Sequence, residues 1–229
     1  WSISGIWAWQ SGFPWAPVEQ STDDWAGNGE NGQTALARPN TGVWQSWNYT
    51  GPRSAFSGTG FTPIPCYGRA TNCTPFASAS PATLAACLSA AQAPYSNAQQ
   101  QQLAIAALYS SHGACYIQNG GVLTPPAYGT LGDATRGLFS GNNYQNVDMS
   151  LEKLWHFKER YSAQLRIEAY NVFNHINPQQ FSNETGTQVN ADPSVGGGVP
   201  GVTGFGFHTA AQSGGNSNRQ FQFGLKLMF

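Results

Sequence analysis

The chain is 229 residues long, enough for one or two ordinary domains. Only 9% of it is charged and the formal net charge is −1, so nothing in the composition points to nucleic acid or an acidic surface partner. Aromatics at 13% and 27 glycines fit a β-rich extracytoplasmic protein, and no apolar run approaches the ~18 residues of a spanning helix.

The first predicted strand covers residues 1–11, with Trp1, Ile3, Trp7 and Trp9 on one face. Trp1 already lies inside the alternation, so the chain is expected to be the C-terminal piece of a longer one. The connection 12–143 is rich in Gly, Pro, Asn and Ser. Its length argues against a compact soluble domain and suits the external loop of a barrel. Within it, Gly27-Gly29-Gly32 makes a GxGxxG string, as does Gly196-Gly198-Gly201 further on. Neither follows a strand and opens a helix, so both read as loop glycine. Trp25, Trp44, Trp47 and Tyr49 suit either stacking on a ligand or packing of the loop, and we favour packing. Cys66, Cys73, Cys87 and Cys115 lack the spacing of a zinc site. Of their three possible pairings, the sequential one, Cys66–Cys73 and Cys87–Cys115, closes the shortest loops and is expected, in an oxidising compartment. Ser80-Pro81 reads as an N-cap and first-turn proline, with Leu84 and Leu88 on one face before Pro94. Ser96 is the candidate cap of a second helix through Leu103, Ala107 and Tyr109, ended by Gly113.

The second and third strands are read at 144–157 and 161–173. On the second, Val147, Met149, Leu151, Trp155 and Phe157 share one face, and Asn146, Asp148, Ser150, Glu152 and His156 the other. On the third, Ala163, Leu165, Ile167 and Ala169 oppose Gln164, Arg166 and Glu168. A two-residue turn would pair an apolar face with a polar one, which the pleat forbids. A three-residue turn at 158–160 pairs Phe157 with Tyr161, Leu151 with Ile167 and Glu152 with Arg166. The Gly-rich connection 174–217 leads to the last strand, 218–229, where Phe221, Phe223, Leu225, Leu227 and Phe229 alternate with Gln220, Gln222, Gly224, Lys226 and Met228. Twelve residues at roughly 3.3 Å each, tilted by about 45°, cross a bilayer core.

The fold class expected is therefore all-β: part of an antiparallel transmembrane β-barrel with about four long strands and long extracellular loops, one carrying short helices. If Phe229 ends at the periplasm, strand parity places both long connections, 12–143 and 174–217, outside the cell and the short turn in the periplasm. Val147, Met149, Leu151, Leu165, Ile167, Phe223 and Leu225 then face lipid, and Asp148, Glu152, Arg166, Glu168 and Lys226 face the lumen. Trp155, Phe157, Tyr161 and Phe229 form a periplasmic aromatic girdle.

Chemistry is sparse. His112, His156, His175 and His208 are scattered, and HExxH and GxSxG are absent. Asp148 and Glu152 admit a glycosidase-like reading, against which a charged barrel wall is the favoured one. N-x-[ST] at Asn48, Asn72 and Asn183 means little in a bacterial outer membrane. No cofactor, metal or enzymatic activity is expected.

The strings N-V-D-M-S-L-E-K, R-I-E-A-Y-N-V-F-N-H and R-Q-F-Q-F-G-L-K-L-M-F, with the opening S-G-I-W-A-W-Q-S-G-F-P-W, resemble the C-terminal end of TonB-dependent outer-membrane receptors of the Oar-like type abundant in Acidobacteria. Gln222, Gly224, Leu227 and Phe229 are similar to the barrel-assembly signal. The resemblance is confined to the two ends of the chain. It implies a 22-stranded barrel with an N-terminal plug, neither complete in this chain, and energised uptake of a large or scarce ligand such as a glycan, peptide or chelate. Implied partners are outer-membrane lipid, the barrel-assembly machinery, the TonB complex through the missing N-terminal part, and an unknown ligand. A surface-exposed β-rich binding or adhesion module, using the Trp-rich loop and the disulfides, is the alternative.

Overall fold

The computed structural model describes residues 1–12, 14–19, 25–26, 45–57, 64–70, 73–157, 160–177, 188–190 and 218–229. The chain divides into two units: Trp1–Gly12 with Asn142–Gln179 and Ala210–Phe229, and Phe13–Gly141 with Gln180–Thr209.

The first unit is a four-stranded antiparallel sheet. Its strands are β1 (Ser2–Gln10), β9 (Tyr144–Phe157), β10 (Tyr161–Tyr170) and β12 (Gln220–Met228), in the order β1-β9-β10-β12. Phe157 pairs with Tyr161, Leu151 with Ile167 and Glu152 with Arg166, as the three-residue turn requires. Arg160 is not among the residues with a left-handed backbone, and Lys158 and Glu159 lie outside the described residues. Both long connections leave from the same end of the sheet, opposite the hairpin turn.

The third strand stops at Tyr170 rather than at residue 173, because Asn171 turns left-handed (φ 50°), as does Asn174 (φ 51°). Asparagine tolerates that region far better than most side chains. The resulting turn ties three strands together. The Asn171 amide accepts from the His175 N–H and donates to the His175 carbonyl, both at 2.9 Å. Asn177 makes the same two-way contact with the backbone of Gln145 on β9, again at 2.9 Å each. Asp148 accepts the Asn171 N–H at 2.9 Å, and Asn174 accepts the Arg219 N–H at 3.0 Å just before β12. The string N-V-F-N-H-I-N thus folds as a polar seal on strand ends whose backbone groups would otherwise lack partners.

The second unit holds the remaining strands: β2 (Pro14–Glu19), β3 (Gln45–Ser46), β4 (Asn48–Thr50), β5 (Cys66–Gly68), β6 (Ala114–Gln118), β7 (Gly121–Thr124), β8 (Phe139–Ser140) and β11 (Gln188–Asn190). One sheet has the order β4-β7-β6-β5, and the other joins β11, β2 and β3, with β8 also on β2. The β11–β2 pair is parallel. Among its described residues, the connection 12–143 carries the two expected short helices and also seven short strands, β2 to β8. Its helices are α1 (Pro81–Gln92) and α2 (Ala98–Leu108). Ser80 caps α1, its Oγ accepting the Thr83 N–H at 3.1 Å. The buried residues of α1 are Cys87, Ala90 and Ala91, and Leu88 packs half-buried against the same cluster, on the stripe it shares with Leu84. Asn97, not Ser96, caps α2, accepting the Gln99 N–H at 2.7 Å. The helix ends at Leu108, short of Gly113. No helix among the described residues is long and apolar enough to cross a membrane, which says nothing about strands.

Both expected disulfides are present, Cys66–Cys73 and Cys87–Cys115. The second bridges 28 positions between α1 and β6. One apolar cluster gathers Trp15, Trp47, Phe56, Tyr116, Leu123 and Phe139, and another packs Cys87, Ala91, Ala104, Leu108 and Cys115 around the second disulfide.

Replacing Cys87 and Cys115 together by serine should destabilise the second unit by about 3–4 kcal/mol, the loop-closure entropy of a bridge of that span. The urea midpoint of a probe in that unit, with and without reductant, measures this. Asn171→Ala should cost about 2–3 kcal/mol, since it strands two backbone groups of His175 and places alanine at φ > 0. Denaturant unfolding in micelles, read at β9 and β10, checks that value.

Candidate functional site

The candidate site is the two faces of the β1-β9-β10-β12 sheet. The register stacks odd-numbered residues in rows: Ile3, Leu151, Ile167 and Phe223 in one, and Gly5, Met149, Ala169 and Phe221 in the next. Lys153, Leu165 and Leu225 form a third row, and Trp155, Ala163 and Leu227 a fourth. The predicted lipid-facing set, Val147, Met149, Leu151, Leu165, Ile167, Phe223 and Leu225, therefore shares one continuous face. Ile3, Trp7, Phe223, Leu225 and Leu227 on it are 63–71% exposed. An uncovered apolar surface of this extent marks an interaction face. Trp155, Phe157, Tyr161 and Phe229 gather at the hairpin end of the same face, with Trp1 edge-on to Trp155 at 6.4 Å.

Lys153 falls on this apolar face, which the alternation argument passed over. Among the described strand residues it is the one charged side chain there. Its Nζ lies 4.7 Å from the Trp1 ring centroid and 5.6 Å from that of Trp155. Parity counting alone assigns it to this side.

The even-numbered face carries the charges. Arg166 Nε meets Glu152 at 3.2 Å and its Nη2 meets Glu168 at 2.7 Å. Gln164 Nε2 donates to Glu152 at 3.3 Å, and the Tyr170 hydroxyl to Glu168 at 3.3 Å. Asp148 joins the polar seal instead, through Asn171 and Asn146. Asp148 and Glu152 thus have separate partners and do not converge on a shared point. Lys226 pairs in register with Gln164 on the same face. A hollow of about 270 Å³ opens here against Ser4, Asp148, Ser150, Arg166, Glu168 and Tyr170. Ile6, Leu154 and Met228 interrupt the polarity of this face.

Gly224 sits opposite Arg166. A Cβ placed there would come no closer than 3.9 Å to the Arg166 Cβ, so the finished sheet has room for one.

In the second unit the loop aromatics pack. Trp25 is buried and stacks on Tyr128 at 5.3 Å, and Trp47 is buried against Tyr116 at 5.8 Å. Tyr49 meets Phe139 edge-on at 4.9 Å and donates its hydroxyl to the Pro52 carbonyl at 2.6 Å. Burial pushes the Tyr49 phenol above its usual range. A hollow of about 490 Å³ opens beside Arg69, Cys73, Phe76 and Tyr109, with Phe76 and Tyr109 4.9 Å apart. Trp44, Asn72, Asn183, His208 and both GxGxxG strings lie outside the described residues, as does most of the connection 174–217. Among the described residues no cluster of His, Cys, Asp or Glu could hold a metal ion.

A double-mutant cycle of Arg166→Ala and Glu152→Ala should give a coupling below about 1 kcal/mol that shrinks in high salt, because the Arg166 side chain is half exposed. Denaturant unfolding at two salt concentrations measures it.

Compared with known families, residues 1–222 match an outer membrane beta barrel domain. The match ends inside β12, short of Phe229. No curated protein and no solved structure matches the chain.

Proposed function

The chain belongs to the outer membrane beta barrel domain family, and from that premise we propose that it forms part of the barrel of a TonB-dependent receptor of the Oar-like type. The observation that carries the reading is the four-stranded antiparallel sheet with one exposed apolar face and two open edges. Among the described residues β1 pairs only with β9, and β12 only with β10. Unpaired strand edges are not tolerated in hydrocarbon, so neighbouring strands must close the barrel. The apolar rows then meet lipid, and the Arg166–Glu152–Glu168 group lines the lumen. From Val147 to Phe157 the strand runs about 33 Å, or about 23 Å of depth at a 45° tilt, which suits the apolar band of such barrels.

In this reading the long connections are extracellular and the hairpin periplasmic. The barrel takes up a large or scarce ligand, a glycan, peptide or chelate, with energy from the TonB complex acting through an N-terminal plug. The barrel-assembly machinery recognises Gln222, Gly224, Leu227 and Phe229. These residues act within a larger barrel and carry no catalysis. Support comes from the N-V-D and E-A-Y-N-V-F-N-H strings and from the placement of the strand ends. A second reading, a surface binding or adhesion module, is favoured by one observation: the second unit is a disulfide-stapled fold with an aromatic-walled hollow at Arg69.

Phe223→Arg or Ile167→Arg should cost about 2–4 kcal/mol, since each lies six residues from the aromatic rim and so near the membrane midplane. Lys226→Gln should be nearly silent. Folding yield into liposomes, scored by heat-modifiable migration, reads all three, and equal tolerance counts against the barrel. The TonB-dependent assignment is tested in the coding sequence upstream of Trp1. A plug and a TonB-contacting segment are expected there. A start codon and signal peptide directly before Trp1 would contradict it.

A further inference from the structure

We infer that Lys153, Trp1 and Trp155 form a binding site for the phosphate of a phospholipid headgroup, in the leaflet that meets the β9–β10 hairpin. The inference rests on the barrel reading above and adds a ligand to it. Its starting point is an anomaly. The odd-numbered face is apolar row after row, yet Lys153 stands in it between Leu151 and Trp155. A cation on the lipid face is costly at the midplane and nearly free at the interface, so its depth matters. Lys153 lies four residues from Phe157, about 13 Å along the strand and about 9 Å in depth at a 45° tilt. From that depth the lysine stem can lie along apolar surface and carry its ammonium toward the headgroup level, and Nζ leans to Trp155 on the hairpin side.

The side chain is already posed that way. Nζ leans over two tryptophan rings, at 4.7 Å and 5.6 Å, and those rings meet edge-on. The ring faces attract the cation but supply no oxygen to its three N–H donors. Among the described residues no carboxylate or carbonyl meets Nζ. Its neighbour Glu152 points to the opposite face and is taken by Arg166 and Gln164. An ammonium held between indoles, with donors unspent and hydrocarbon on one side, calls for an anion from the membrane interface. The anion abundant at that level is the lipid phosphate, and charge-assisted N–H···O bonds are the strong ones.

The test is solid-state NMR on the full barrel protein with ¹⁵Nζ-labelled lysine in phosphatidylglycerol bilayers, in phosphate-free buffer. The lysine signal that disappears in Lys153→Gln belongs to Lys153. The site predicts that ³¹P strongly dephases this signal, and that Trp155→Leu weakens the dephasing at least twofold. Absent dephasing overturns the site, and unchanged dephasing in Trp155→Leu overturns the three-residue arrangement. Dephasing that arises only after inorganic phosphate is added overturns the lipid as its source. Magnetisation transfer from acyl chains to Leu225 in the same sample reports the barrel itself. Transfer without Lys153 dephasing removes the phosphate site alone, and no transfer removes both.

Discussion

Everything in the four-stranded sheet depends on the pleat and its register. Successive side chains of a strand point to opposite faces, so one slipped residue in any of the three pairings would turn an apolar row into a mixed one. The register is held at both ends. At the hairpin, Phe157 faces Tyr161 across a three-residue turn. At the other end, Asn171, Asn174 and Asn177 use side-chain amides to clasp the backbones of β9, the turn and the segment leading into β12. Between these two locks, Ile3, Leu151, Ile167 and Phe223 are held in one row.

The same constraint explains the exposure. A sheet that kept its apolar face for an internal core would bury Phe223 and Leu225, and here both stand open. Membership of an outer-membrane barrel family fits such a face, and under the proposed reading the face meets lipid. The polar face carries the ion pairs, and Lys153, the one charged strand residue of the apolar side among the described residues, sits between tryptophans. The second unit is stabilised by other means. Its described strands have two to six residues, and its rigidity comes from two disulfides, capped helices and buried aromatic contacts such as Trp47 on Tyr116.

Much of the sheet was legible because its signals are local and periodic. Alternation located the four long strands, parity of the turn set the hairpin pairing, and the shortest-loop argument paired the cysteines. The Ser80-Pro81 cap was equally local. The fold of 12–143 was far less legible, because two- to five-residue strands such as β4 and β5 show no period and pair with partners distant in sequence. One local signal there went unused. Asn119-Gly120, both at positive φ, makes the two-residue turn between β6 and β7, and an Asn-Gly pair between apolar residues announces such a hairpin. The end of β10 was misjudged for a related reason. Phe173 has the parity of Ala163, Leu165, Ile167 and Ala169, but left-handed Asn171 breaks the strand before it. Lys153 escapes a count of apolar residues because it is the charged exception on their face.

The central claim is that the odd-numbered face of the sheet meets lipid and the even-numbered face meets water. Its most direct test is a scan of residues 220–229 with a genetically encoded spin label in the bilayer-embedded protein, comparing accessibility to dissolved oxygen and to a water-soluble nickel complex. A period of two is predicted, with oxygen contact highest at Phe221, Phe223, Leu225 and Leu227 and nickel contact highest at Gln222, Gly224 and Lys226. Equal nickel access along both sets of positions would contradict the account.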